Sequence, residues 1–205
     1  MPRTTGARTL RRRAARTIDV IMDRDPSVRT RGEALLHPTV IAVLGHRVGH
    51  RLYRRRRYRT ARLVSTLVKV LTGGIEIHPG ARIGRRFFID HGSGVVIGET
   101  AVIGDDVSLF HQVTLGSTGW WHDGPGDGGR SARRHPCLGD GVTVGTGATL
   151  LGPITVGDNA LIGAMALVTS DVPAGARVRA APARVPGPPP LPAPAAETAG
   201  EKTRG

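Results

Sequence analysis

From Gly74 onward, aliphatic residues recur every six positions. Ile77, Ile83, Ile89 and Val95 open the series, and a two-residue slip resets it to Ile97, Ile103, Leu109 and Leu115. After an interruption it continues through Leu138, Val144, Leu150, Val156, Ile162 and Val168. The next position is Gly in eight of these fourteen hexads, whereas 29 Gly in 205 residues would place about two there by chance. The period matches neither a helix nor an alternating strand. It predicts a parallel β-helix of hexapeptide repeats, in which each hexad is one short strand and one corner. At roughly eighteen residues per three-sided coil, fourteen hexads make four to five coils.

Upstream, residues 34–71 carry helical spacing: Leu35, Leu36, Val40, Ile41, Val43, Leu44 and Val48, then Leu63, Leu67, Val68 and Leu71. The predicted organisation is a basic helical region over 1–73, a β-helix over 74–185 with a loop at 117–137, and a tail over 186–205. The tail is rich in Pro and Ala without an apolar period, and is expected to be disordered or extended. The fold class is mainly β, a β-helix preceded by a short α-helical domain.

Composition supports the narrow prism. Three Phe, two Trp and two Tyr are the only aromatic rings, so the core is built from Ile, Val, Leu and Ala. A single Cys excludes an internal disulfide framework and a Cys-rich zinc module. No apolar run approaches the ~18 residues of a membrane span. The basic start lacks an apolar signal core, so a cytoplasmic location is expected.

The net charge of +13 suggests a polyanion as partner. It is not spread evenly. Residues 1–69 hold 18 Lys+Arg against 4 Asp+Glu, and residues 70–205 hold 11 against 12. The runs Arg11–Arg13 and Arg54–Arg57 read as polar helix faces and connections. No helix-turn-helix, finger or RNA-recognition motif accompanies them, and stacking rings are scarce, so nucleic acid is not the expected partner. His46 and His50, four apart on a helix, could pair on a metal, but no HExxH motif supports that and a structural role is expected. Cys137 reads as an inert small apolar residue. Trp120 and Trp121 lie in the loop that breaks the hexads, where they could stack on a ring or cap the loop.

Three blocks in order carry a family likeness: IHPG at 77–80, DHGSGVVIGET at 90–100 and RHP at 134–136. With them, residues 19–185 resemble the serine O-acetyltransferases. That resemblance implies a left-handed β-helix, a homotrimer with sites between subunits, and acetyl transfer from acetyl-CoA to the hydroxyl of L-serine for cysteine synthesis. It also implies roles. His91 matches the catalytic base, and Glu76 matches its orienting carboxylate, which is Asp in many members. Asp25, Asp90, Arg134 and His135 match substrate-binding positions. Gly116, Thr118, Thr146, Gly163 and Ala164 match positions along acetyl-CoA. No metal is implied.

The chemistry of these types is apt. A neutral His removes a hydroxyl proton near pH 7, and a carboxylate on its other nitrogen fixes the tautomer. An amino acid presents an ammonium to acids and a carboxylate to a forked cation. Asp25 before Pro26 also has a plain reading as a helix start.

Some residues depart from the family pattern. Ser117 stands where a Gly is usual, Ala180 where a turn Gly is common, and the loop before RHP is long. The short N-terminal region argues against a hexamer. The ending KTRG lacks the apolar terminus by which some members dock onto cysteine synthase, which argues against that partner. Alternatives are an O-acetyltransferase for another small hydroxyl acceptor such as homoserine, a γ-type carbonic anhydrase with zinc on His78, His111 and His135 across subunits, and a non-catalytic basic adaptor using residues 1–69 to bind nucleic acid.

Overall fold

The computed structural model describes residues 5–119 and 133–182. The tail over 186–205, the Trp pair and most of the loop over 117–137 lie outside the described residues.

Four helices lead in: α1 (Thr5–Arg24), α2 (Arg31–Leu36), α3 (Pro38–Arg54) and α4 (Tyr58–Leu71). Local chemistry sets their ends. Thr30 caps α2, and Glu33 returns the bond to the Thr30 backbone in a capping box. His37 caps α3 through Nδ1, which accepts from Thr39 N at 3.3 Å, and Pro38 fills the first helical position. The four-arginine run ends α3 with Arg54 and makes the turn to α4 with Arg55–Arg57, Arg56 at a φ of 59°. These helices differ from one uninterrupted pattern because Pro38 and the Arg55–Arg57 turn break it.

The β-helix follows as strands of two or three residues in three parallel sheets. The first sheet stacks β1 (Glu76–Ile77), β4 (Val96–Ile97), β7 (Thr114–Gly116), β10 (Thr149–Leu151) and β13 (Leu167–Val168). The second stacks β2 (Arg82–Ile83), β5 (Val102–Ile103), β8 (Cys137–Leu138) and β11 (Thr155–Val156). The third stacks β3 (Phe88–Ile89), β6 (Ser108–Leu109), β9 (Thr143–Val144), β12 (Leu161–Ile162) and β14 (Arg177–Val178). Each coil hydrogen-bonds to the next along the axis, as in Gly98 N to Leu115 O and Thr114 N to Ala148 O.

Thirteen of the fourteen hexad residues are buried, and Ile83 is partly buried against the same core. Small residues such as Ala101, Ala148 and Ala160 fill the space between them. Burying each Leu or Ile contributes about 1.5–3 kcal/mol. One ring enters the main core, contrary to the purely aliphatic expectation: Phe87 is buried at the corner after β2 in the first coil, beneath the helices, while Phe88 joins Val20, Ile21, Ala34 and Val40 in the smaller core that seats α1 to α3.

The two irregularities in the period have visible causes. Glu76 pairs with Val96, twenty residues on, whereas Val96 pairs with Thr114, eighteen on. The two extra residues enlarge the corner before β4, where His91, Gly92 and Gly94 all take positive φ. The longer jump from Val102 to its partner Cys137 accommodates the inserted loop.

Candidate active site

The corners on either side of the first sheet carry the polar residues singled out above. One edge holds the corners that precede its strands: Asp90–His91 before β4, His111 before β7, Thr146 before β10 and Ala164 before β13. The other edge holds the corners that follow them: His78 after β1, Glu99–Thr100 after β4, and Thr118 after β7, with Arg134–His135 entering β8.

At the first edge, Asp25 leaves the end of α1 and His37 begins α3. Thr39 Oγ1 donates to Ile89 O at 2.6 Å, which holds the start of α3 against the residue before Asp90. Ligand-capable atoms of Asp25, His37 and Asp90 lie within 4.8 Å of one another. This trio could hold a metal ion, and its two carboxylates equally suit an ammonium group. Asp25 does not start a helix, because Thr30 does that. Its Oδ1 instead accepts from Ser27 Oγ at 2.6 Å and from Ser27 N at 2.9 Å. The Ser27 hydroxyl bond lowers the Asp25 pKa below the ordinary carboxylate value, against a smaller desolvation cost.

His37 Nδ1 is occupied as an acceptor, so its neutral form carries the proton on Nε2, which faces Asp25 Oδ2 at 3.7 Å. Burial lowers the His37 pKa, and the nearby Asp25 and Asp90 only partly offset it. His37 also stacks on Phe88 at 5.7 Å between centroids.

His91 stands on the enlarged corner with its side chain 73% exposed, and its Nε2 is 3.8 Å from Asp90 Oδ1. His111, one coil on, meets it edge to face at 5.6 Å. His111 Nδ1 is buried and has no hydrogen-bond partner among the described residues.

Glu76 pairs with a lysine of α4. Its residue precedes the inward-facing Ile77, so its side chain points outward toward α4, and Oε2 accepts from Lys69 Nζ at 2.6 Å. The acid that meets His91 in the chain is Asp90.

At the second edge, the Thr100 hydroxyl accepts from Arg134 N at 2.8 Å and His135 N at 3.1 Å. Its own proton is then directed to His135 Nδ1, 2.8 Å away, and Thr100 N donates to the same atom at 3.2 Å. Neutral His135 therefore carries its proton on Nε2. Arg134 is steadied by Glu99, with Nη2 to Oε2 at 3.1 Å, and Tyr53 donates to Glu99 Oε1 at 2.6 Å. That bond raises the Tyr53 pKa to about 12. Burial pushes Glu99 upward, but the Tyr53 bond with His78, Arg134 and Arg62 outweighs it, and the net shift is downward. Burial first, then Arg62, lowers His78 to about 4.

His37, Glu99, Thr100 and Tyr53 were missed by sequence reasoning. The HPT tripeptide at 37–39 and the GET at 98–100 were the available signals.

The other candidates resolve simply. His78 and His135 share one edge, while His111 sits at the other with His91, so a γ-type zinc site on these three would have to form across two copies. His46 and His50 anchor α3 on the first coil: His50 Nδ1 donates to Pro79 O at 2.9 Å, and burial lowers His46 to about 3. The acetyl-CoA positions divide like the rest. Gly116 and Thr118 lie at the second edge, and Thr146, Gly163 and Ala164 at the first, where Met165 N donates to Thr146 O at 2.8 Å.

No family model matches the chain. Individual relatives do. It is 50% identical over 160 residues to the serine acetyltransferase of Helicobacter pylori, covering 78% of this chain and 88% of that one. It is 47% identical over 169 residues to the serine acetyltransferase of Bacillus subtilis, covering 82% and 73%. The chain belongs to the serine acetyltransferase family. Among solved structures, the soybean serine acetyltransferase complexed with serine matches at a TM-score of 0.75 and 40% identity, covering 86% of this chain and 69% of that one. The Entamoeba histolytica isoform 3 enzyme in complex with cysteine matches at 0.77 and 34%, covering 88% of this chain and 62% of that one. The coiling is accordingly left-handed, and the chain is an acyltransferase. Among the described residues no helix is long and apolar enough to cross a membrane.

One glycine at the second edge is set by close approach. A Cβ on Gly98 would lie 1.9 Å from His135 Cδ2 and 2.1 Å from its Nε2. Gly98→Ala is expected to destabilise the fold by about 1–3 kcal/mol through overpacking. Denaturant unfolding checks the stability, and the Michaelis constant for the acceptor should rise in parallel as the His135 ring is displaced.

Proposed function

We propose that this chain acetylates L-serine directly from acetyl-CoA, with no covalent enzyme intermediate, and that each site forms between two copies of a homotrimer in the cytoplasm. Asp25 and Asp90 receive the ammonium group, and Arg134 with His135 receives the carboxylate. His91 takes the hydroxyl proton as the oxygen attacks the thioester carbonyl. It then returns a proton to the departing CoA thiolate. Glu76 orients His91 in this reading, sharing its carboxylate with Lys69, and Asp90 is the second acid within reach. Acetyl-CoA lies between Gly116 and Thr118 of one copy and Thr146, Gly163 and Ala164 of the next.

The observation that carries the reading is the division of the substrate residues between opposite edges of one sheet. A single serine bridges them only if the edges of neighbouring copies meet. The apolar outer surface between those edges favours such contact: Leu167 is 67% exposed on β13, and Leu63 and Val70 of α4 are 69% and 72% exposed. A continuous assay of CoA release tests the reaction. L-Serine is expected to support turnover well above homoserine. No CoA release with either would sink the transferase reading, and a preference for homoserine would reassign the acceptor.

A further inference from the structure

Away from this site, on the corner between β2 and β3, a hollow of about 700 Å³ opens between α1, α3 and the first coil. Its corner lies opposite the sheet whose two edges carry the transferase residues. Arginines from three elements surround it. Arg16 comes from α1, and Arg51, Arg54 and Arg55 from the end of α3 and its cap. Arg85 and Arg86 come from the corner itself.

These cations are not equivalent. Arg85 is bound by Asp105, at 2.8 Å from Nε to Oδ2, and Arg86 by Asp106 and Asp23 at 3.0 and 3.2 Å. Arg16, Arg51, Arg54 and Arg55 pair with no carboxylate among the described residues. Four guanidinium groups without a carboxylate partner among the described residues repel one another around one concavity, which focuses their field. A multivalent anion seated between them turns that repulsion into attraction. The negative end of α3 offsets only part of it.

The lining also limits what the anion can be. Guanidinium forks match the oxygens of a phosphoryl group in pairs. Of the two rings at the wall, Phe87 is 2% exposed, and His50 is tied through Nδ1 to Pro79 O at 2.9 Å. The arginine forks therefore select for phosphate groups. We propose that it binds a compact polyphosphate, either inorganic or the phosphate tail of a small metabolite. This site does not depend on the transferase reading.

Titration calorimetry of the full chain with inorganic tripolyphosphate tests it. One equivalent per chain is expected, and the double variant Arg51→Ala/Arg54→Ala should weaken binding by ~10-fold or more, since bonds to charged groups are each worth about that much. The variant should keep its CoA-release rate. A control pair outside the hollow, Arg57→Ala/Arg59→Ala, should bind tripolyphosphate as the unaltered chain does. ATP binding with the same dependence on Arg51 and Arg54 points to a metabolite tail as the source, and tripolyphosphate binding alone points to the inorganic one. Failure to bind tripolyphosphate, or equal loss in the control pair, overturns the proposal. Tighter binding of a short DNA duplex through the same arginines would also overturn it, and make the hollow part of a nucleic-acid surface.

Discussion

Replacing His91 by Ala is expected to lower acetyl transfer by about 10²–10⁴-fold, the usual worth of a positioned general base. The side chain is exposed and contributes nothing to the prism core, so this loss should come without unfolding. The backbone needs a control. His91 sits at a φ of 58°, where most side chains are strained and Asn is tolerated best. His91→Asn keeps that backbone and removes the base, so it should lose as much rate as the Ala variant. CoA release measured beside thermal unfolding checks both. A near-normal rate in the Asn variant would take His91 out of the mechanism. The same assay on Glu76→Gln decides which acid orients the ring. A loss above ~10-fold places Glu76 on His91 despite Lys69, and an unchanged rate leaves Asp90 in that role.

Much of this corner was legible before any coordinates. A hexad period assigns each residue an inward or outward place, and the core follows it from Ile77 to Val168. The slip between Val95 and Ile97 marked an irregular corner, and that corner carries His91. What the period does not encode is contact between different kinds of element. Lys69 belongs to α4, and its bond to Glu76 depends on how that helix lies across β1. His37 joins Asp25 and Asp90 only because the start of α3 is tied to Ile89 by Thr39. Thr100 and His135 are 35 residues apart on either side of the insertion, and phase places their backbones without giving the side-chain bond between them. The charge was legible as a total and as a segment, but its convergence on one hollow needed three elements placed together.

Mixing two impaired variants is expected to restore activity. In the proposed trimer each site takes His91 from one copy and Arg134 from its neighbour, a head-to-tail arrangement that closes on itself. A His91→Ala trimer lacks the base at every site. An Arg134→Ala trimer loses the fork for the serine carboxylate, which costs about 10–10²-fold through the lost charge-assisted bonds. Arg134 is 22% exposed and held by Glu99, so its removal frees an acid at the edge without opening the core. When the two variants are co-expressed and assemble at random, an intact site needs an Arg134→Ala copy to supply His91 and a His91→Ala copy to supply Arg134. Chance produces that order at about one site in four, so about one quarter of the unaltered activity should return. A site wholly within one chain predicts a different result. Every copy would then carry one defect, and the mixture would show only the mean of the two variants. Native mass spectrometry of the same sample must show mixed trimers. Mixed trimers with only that mean rate would return both halves of the site to a single chain, and the absence of trimers would remove the assembly on which the shared site depends.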